Sequence, residues 1–422
     1  NELFKNNRKN FISYLKPNSI AIFVSNDILP TNADGTMAFR KNSDLFYLSG
    51  IDQEETILLL YPDSYNSNYK EIVFVKETNE HIAVWEGNKL SKKQVSETSG
   101  IENIYWTSDF DSILSVLVSE CEYIYLNSNE HSRSKKSIDT YQDRFSTHIR
   151  TIYPLHTYER AAPIMHALRA VKSNFEIELM QKACNITEKA FRRILPFVKA
   201  GVWEYEIEAE ILHEFIKNRS RGPAYLPIIA SGANACILHY IENSRQCKDG
   251  ELILLDIGAE YANYAADLTR TIPVNGKFTD RQKNVYKAVH KVLNLATKML
   301  VPGNNLTDYQ KEVGKIMESE LIDLGLLDRT DVKNQNPAMP LYKKYFMHGT
   351  SHFLGLDVHD VGDRRKSFCE GMVFTCEPGI YIREEEIGIR LENDILITES
   401  GPVNLMKNIP IEPEEIETLM NE

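Results

Sequence analysis

Four acidic residues lie in stretches whose other residues ask to be buried. Asp256 closes the run ELILLD, Asp267 stands in YAADLTRTI, Glu377 in MVFTCEPGIYI and Glu392 in GIRLENDILIT. Short runs of this kind, rich in Ile, Leu, Val and Thr, read as β-strands. The midpoint of Asp256 and Asp267 falls between Tyr261 and Ala262, so a hairpin turning there makes them direct cross-strand partners, with Cβ atoms about 5 Å apart. Glu377 and Glu392 have their midpoint between Glu384 and Glu385, inside the polar turn REEE. Like charges opposed at that distance repel, and burial forces proton uptake unless a cation intervenes. Any one of the four, taken alone, reads as an exposed or salt-bridged acid. Four together in apolar strands do not read that way.

The segment FMHGTSHFLGLDVHD adds His348, His352 and His359, three of the chain's eleven histidines. A lone imidazole is usually a hydrogen-bonded core or turn residue, so the segment alone leaves the choice open. With the acids, one imidazole completes a hard, oxygen-rich set sized for two divalent cations, and His352 is the best ligand candidate of the three. Zinc alone prefers more nitrogen or sulfur. A cation pair activates water toward a carbonyl, which makes hydrolysis the natural reaction. The only His-Glu pair, His213 and Glu214, lacks the second histidine of HExxH, and the sequence has no P-loop, GxGxxG or GxSxG.

A chain of 422 residues is expected to form two domains. The first part alternates β-rich runs (SIAIFVS, DLFYLSGI, ETILLLY, EIVFVKE, CEYIYLN) with polar helical segments, which predicts an α/β domain with a largely parallel sheet over 1–161. Near Arg160 to Pro163 helical periodicity takes over, so 162–422 is expected to be an α+β domain, with helices covering a curved antiparallel sheet. Ser173 and Glu176 form a capping box ahead of a helix that Pro196 ends; Thr279 and Gln282 do the same ahead of Pro302 and Gly303. The net charge of −12 argues against a nucleic-acid or anionic-membrane binder. The polar N-terminal stretch lacks a secretory pattern, which makes a cytoplasmic protein the expectation. Six scattered cysteines without a CxxC fit reduced thiols.

The strings CILHYIEN, LLDIGAEYANYAADLTRTIPVNGKFT, FMHGTSHFLGLDVHD, EGMVFTCEPGIYI and IGIRLENDILIT, in that order, resemble the pita-bread metallopeptidases, and among them the bacterial Xaa-Pro aminopeptidases. FRKNSDLFYLSGI is similar to a segment of that family's creatinase/prolidase-like N-terminal domain. The resemblance implies two metal ions, manganese first, with cobalt, zinc or iron as alternatives, held by Asp256, Asp267, His352, Glu377 and Glu392, and with Asp267 and Glu392 bridging. It gives Glu377 the proton of the attacking water. His359 would bind the peptide near the scissile bond, His348 would line the proline pocket and His239 would stabilise the tetrahedral intermediate. Arg390 would orient an acidic ligand or the peptide backbone. Tyr381 and Val358 would give the proline ring apolar contact, and Trp85 resembles a tryptophan that approaches the active site from the N-terminal domain. The expected substrates are short peptides with proline in second position, and the expected assembly is a homodimer or homotetramer.

Three relatives compete with this reading. Prolidase cleaves only Xaa-Pro dipeptides with the same ligands, but usually has glycine where Ser351 stands in HGTSH. A creatinase-like or non-catalytic peptide-binding relative would have lost ligand carboxylates, and here all are present. Methionine aminopeptidase usually lacks a long N-terminal domain.

Overall fold

The computed structural model describes residues 1–422 and divides into two compact units, Asn1–Arg169 and Ala170–Glu422. The division falls after Arg169 rather than at 161. Helix Ala162–Ala170, which the change of pattern placed in the second half, is tied to the first by an ion pair of 2.8 Å from Arg169 Nη1 to Asp44.

The first unit is built on a six-stranded sheet. Its strands are β1 (Ser19–Val24), β2 (Ile57–Leu60), β3 (Glu71–Val75), β4 (Asn103–Trp106), β5 (Tyr123–Leu126) and β6 (Thr157–Arg160). Their order is β4-β3-β2-β1-β5-β6. β1 with β5, β5 with β6 and β3 with β4 run parallel, whereas β2 is antiparallel to both β1 and β3. The sheet is therefore mixed rather than largely parallel. The link 61–70 between β2 and β3 is too short for the crossover that a parallel pair needs. Ile20, Ile22, Leu59, Phe74, Leu114, Leu117, Ile124 and Ile149 form the core beneath it.

One expected strand is a helix. DLFYLSG forms Ser43–Ser49 because Asn42 accepts hydrogen bonds from the backbone N–H groups of Asp44 and Leu45, and Gly50 closes the helix in the left-handed region at φ 72°.

The second unit pairs its strands antiparallel throughout. β7 (Ile228–Ser231), β8 (Leu252–Ile257), β9 (Glu260–Tyr261), β10 (Tyr264–Ala265) and β11 (Leu268–Pro273) make the first hairpin region, in which β8 lies between β7 and β11. β12 (Val373–Cys376), β13 (Gly379–Ile382), β14 (Ile387–Arg390), β15 (Asn393–Thr398) and β16 (Gly401–Asn404) make the second, in which β15 lies between β12 and β16. Both expected capping boxes are formed, on helices Asn174–Ile194 and Asp280–Lys298. The first helix packs on β9 and β10, the second on β12, β13, β14 and β16. No helix is long and apolar enough to cross a membrane. The cysteines are free, with Cys369 exposed and the other five buried.

The two hairpins treat the expected pairings differently. In the second, Cys376 pairs with Asn393 and Gly379 with Arg390, so one register runs through both ladders and sets Glu377 against Glu392. In the first, Asp256 pairs with Thr269 instead of Asp267, a slip of two residues. The cause is the turn: Ala262 and Asn263 both adopt positive φ, 49° and 72°, and form the two-residue connection between Tyr261 and Tyr264. A slip of two keeps both acids on one face of the hairpin.

Candidate metal centre

The ladders of each hairpin are interrupted where the acids sit. Asp267 falls between β10 and β11, Glu377 between β12 and β13, and Glu392 between β14 and β15. Backbone bonds lost from the ladders are made elsewhere: Glu377 N–H donates to Thr350 O at 2.8 Å and Glu392 N–H to Thr269 O at 3.0 Å. The first interruption depends on Gly258, where a Cβ would lie 1.9 Å from the carbonyl oxygen of Ala266.

These breaks converge the side chains. Ligating atoms of Asp267, His352 and Glu392 lie within 4.8 Å of one another. His352 Nε2 stands 3.4 Å from Asp267 Oδ2 and 3.6 Å from Glu377 Oε1. Its Nδ1 is 3.0 Å from Phe353 O, an acceptor only, so Nδ1 carries the proton and the Nε2 lone pair faces the acids, as a metal-binding imidazole requires. Tyr225, in a segment without a recognisable motif, places its hydroxyl 2.6 Å from both Asp256 Oδ1 and Asp267 Oδ1. One hydroxyl hydrogen serves only one of these acids at a time.

Burial raises the pKa of Asp267 and Glu392 well above the usual carboxylate range, and their acidic neighbours push the same way. Glu377 is pushed up to about 7, chiefly by burial, with His352 opposing. The facing cation is Arg390. Its Nη2 donates to Asp256 Oδ2 at 2.5 Å, Nη1 to the Tyr381 hydroxyl at 2.9 Å and Nε to Thr269 Oγ1 at 3.1 Å. Thr269 Oγ1 in turn donates to Glu392 Oε2 at 2.6 Å.

The other expected residues fall at different distances from this cluster. His348 Nδ1 meets the carbonyl of Gly349 at 2.8 Å, leaving Nε2 to accept from the Tyr381 hydroxyl at 2.8 Å. Burial and Arg390 lower its pKa to about 3. It is therefore neutral, and its approach of 3.9 Å to Glu377 is not an ion pair. Tyr381 is buried, with its hydroxyl held between His348 and Arg390. The exposed His359 ring stands edge-on to His352, centroids 4.5 Å apart. His239 is exposed in a turn and close enough to His348 to disfavour its protonation, and Val358 is half-buried on the histidine-rich loop. Trp85 belongs to helix Glu80–Glu86 of the first unit and is 81% exposed. Thr269 and Asp394 were not foreseen, although each stands two residues from an acid already singled out and so shares its strand face. Asp394 Oδ2 accepts from the Asp267 N–H at 3.1 Å.

Residues 178–399 match metallopeptidase family M24, and residues 4–125 match the N-terminal domain of aminopeptidase P. The chain belongs to metallopeptidase family M24. The Xaa-Pro aminopeptidase of Escherichia coli K12 is 35% identical across 99% of this chain and 97% of its own length. The human Xaa-Pro aminopeptidase 3 is 30% identical across 95% of this chain and 79% of its own. Among solved structures, zinc-substituted E. coli aminopeptidase P in complex with product is 34% identical, covers 100% of this chain and 98% of its own, and has a TM-score of 0.88. Pseudomonas aeruginosa aminopeptidase PepP is 30% identical, with coverage of 99% and 97% and a TM-score of 0.90.

The residues of this M24 chain fit a divalent metal. Of the carboxylates of Asp256, Asp267, Glu377 and Glu392, that of Asp256 pairs with a guanidinium, and a Tyr225 hydroxyl is shared between two acids that have one hydrogen to divide. Oxygen donors with one imidazole suit hard cations, which relieve the repulsion that buried carboxylates otherwise suffer.

Proposed function

We propose that this chain is a cytoplasmic Xaa-Pro aminopeptidase that removes the first residue from short peptides with proline in second position, working as a homodimer or homotetramer. The observation that carries the reading is the convergence of Asp267, Glu377 and Glu392, at the breaks of two hairpins, with Asp256 and His352. Full-length similarity to Xaa-Pro aminopeptidases supports the substrate class.

Asp256, Asp267, His352, Glu377 and Glu392 would hold two divalent ions, manganese by the hardness of the set. When bound, such ions supply activated water and polarise the scissile carbonyl. Glu377 receives the proton of the attacking water on Oε2 and passes it to the leaving nitrogen. Arg390 is occupied by Asp256, Tyr381 and Thr269, so its part is to orient acids rather than to grip the peptide. The neutral His348 and the Tyr381 ring form one wall for the proline ring, with Val358 contributing from the histidine-rich loop. His359 binds the peptide near the scissile bond, and His239 donates to the oxygen on which negative charge develops. Trp85 is assigned to substrate on family resemblance alone.

An X-Pro bond is a tertiary amide with no N–H, so a dedicated enzyme must recognise the ring instead of that donor. A peptide-length panel tests the assignment. Hydrolysis of Ala-Pro-Ala and longer peptides, releasing alanine, is the expected result. Cleavage restricted to Ala-Pro would make the chain a prolidase, and no cleavage with no metal bound would make it a non-catalytic relative.

A further inference from the structure

Arg270 carries a positive charge into the interior of the second unit, where it is 1% exposed. Its hydrogen bonds all end on uncharged oxygens. Nε donates to Pro410 O at 2.9 Å, Nη1 to Thr269 O at 3.0 Å and to Glu392 O at 2.7 Å, and Nη2 to Asn393 Oδ1 at 2.8 Å. Burying a guanidinium without a carboxylate partner is costly, and an apolar side chain of similar volume would avoid that cost. The five donors of the fork must therefore do something that apolar packing cannot.

Three of the four acceptors lie on, or directly before, the two strands that bring Asp267 and Glu392 together: Thr269 on β11, Asn393 on β15 and Glu392 just ahead of it. Those strands do not form a ladder with each other: β11 pairs with β8, whereas β15 pairs with β12 and β16. The seam between them consists of single bonds. Glu392 N–H donates to Thr269 O, Thr269 Oγ1 to Glu392 Oε2 and Asp267 N–H to Asp394 Oδ2. Arg270 closes this seam from the opposite face of β11, holding the carbonyl of Thr269 and that of Glu392 on the same nitrogen.

We propose that Arg270 is a positioning residue whose planar fork fixes the spacing of Asp267 and Glu392, and so sets the affinity of the centre for its second cation. The proposal rests on the two-cation reading above. A lysine retains the charge but offers no rigid fork to span four acceptors.

Arg270→Lys is therefore the informative variant, read by manganese titration of metal-stripped protein alongside far-UV circular dichroism. Wild-type protein is expected to bind two ions. R270K is expected to fold, to keep its tighter ion, and to bind the weaker one about tenfold to a hundredfold less well. Its peptidase activity is expected to be lost at limiting manganese and restored by excess, which a merely misfolded variant would not show. Wild-type affinity for both ions in R270K, or a loss that excess manganese does not restore, would overturn the proposal. If R270K does not fold, Asn393→Ala removes one acceptor only and is judged by the same titration. Wild-type protein that binds no ion at all would instead sink the two-cation reading, and the proposal with it.

Discussion

Glu377 stands opposite Glu392 at the break between two ladders that share one register. Pro378 follows Glu377 and has no N–H to offer a ladder, which suits it to that break. Burial raises the pKa of both acids, that of Glu377 to about 7.

The metal-free protein should consequently lose stability as pH rises. Between the unfolded carboxylate value of about 4.5 and the folded value of about 7, the native Glu377 holds a proton that the unfolded chain has released, as do Asp267 and Glu392, and together these acids outweigh His348, whose lowered pKa works the other way. Unfolding then releases protons, so its free energy falls with increasing pH through that window. Thermal denaturation of stripped protein across the window is expected to show a falling Tm, and saturating manganese should flatten the slope by stabilising the ionised acids. Equal slopes with and without metal would contradict this.

Tyr225→Phe keeps the ring and deletes the hydroxyl that lies 2.6 Å from Asp256 and from Asp267. Metal affinity is expected to fall about tenfold to a hundredfold, as for other partners of ligating carboxylates. Calorimetric titration with manganese measures it, and circular dichroism should be unchanged. An unaltered affinity would show that the hydroxyl does not orient these acids.

Gly258→Ala places a methyl group against the carbonyl of Ala266, which is backbone and cannot swing aside. Urea denaturation is expected to show a loss of about 1–3 kcal/mol, typical of forced overpacking. Because the clash lies between Asp256 and Asp267, metal binding should weaken along with stability. A variant as stable as wild type would mean that the break in the first hairpin tolerates movement.

How far the sequence could be read depended on how local each signal was. The register of Glu377 and Glu392 was legible because REEE is a polar turn centred between them. The first hairpin slipped by two because a turn with both residues at positive φ normally announces itself as Asn-Gly, whereas here Ala262 takes one of those places. Tyr225 carried no signal at all: its role comes from a contact with residues more than thirty positions away. The apolar, aromatic composition of DLFYLSG suggested a strand, although Asn42 and Gly50 were present as cap signals for a helix.

Asn42→Ala tests that cap. Loss of the two bonds accepted by Asn42 is expected to cost about 1 kcal/mol, measured as a shift in chemical denaturation, with metal content unaffected. A neutral substitution would mean that packing alone holds the helix.

The central claim, that these buried acids gather cations in order to hydrolyse Xaa-Pro bonds, is tested most directly by adding manganese back to stripped protein while following alanine release from Ala-Pro-Ala. Activity should be absent at the start and should rise with ion binding until two ions per chain are held. Hydrolysis by the stripped protein, or ion binding that brings none, would contradict the claim.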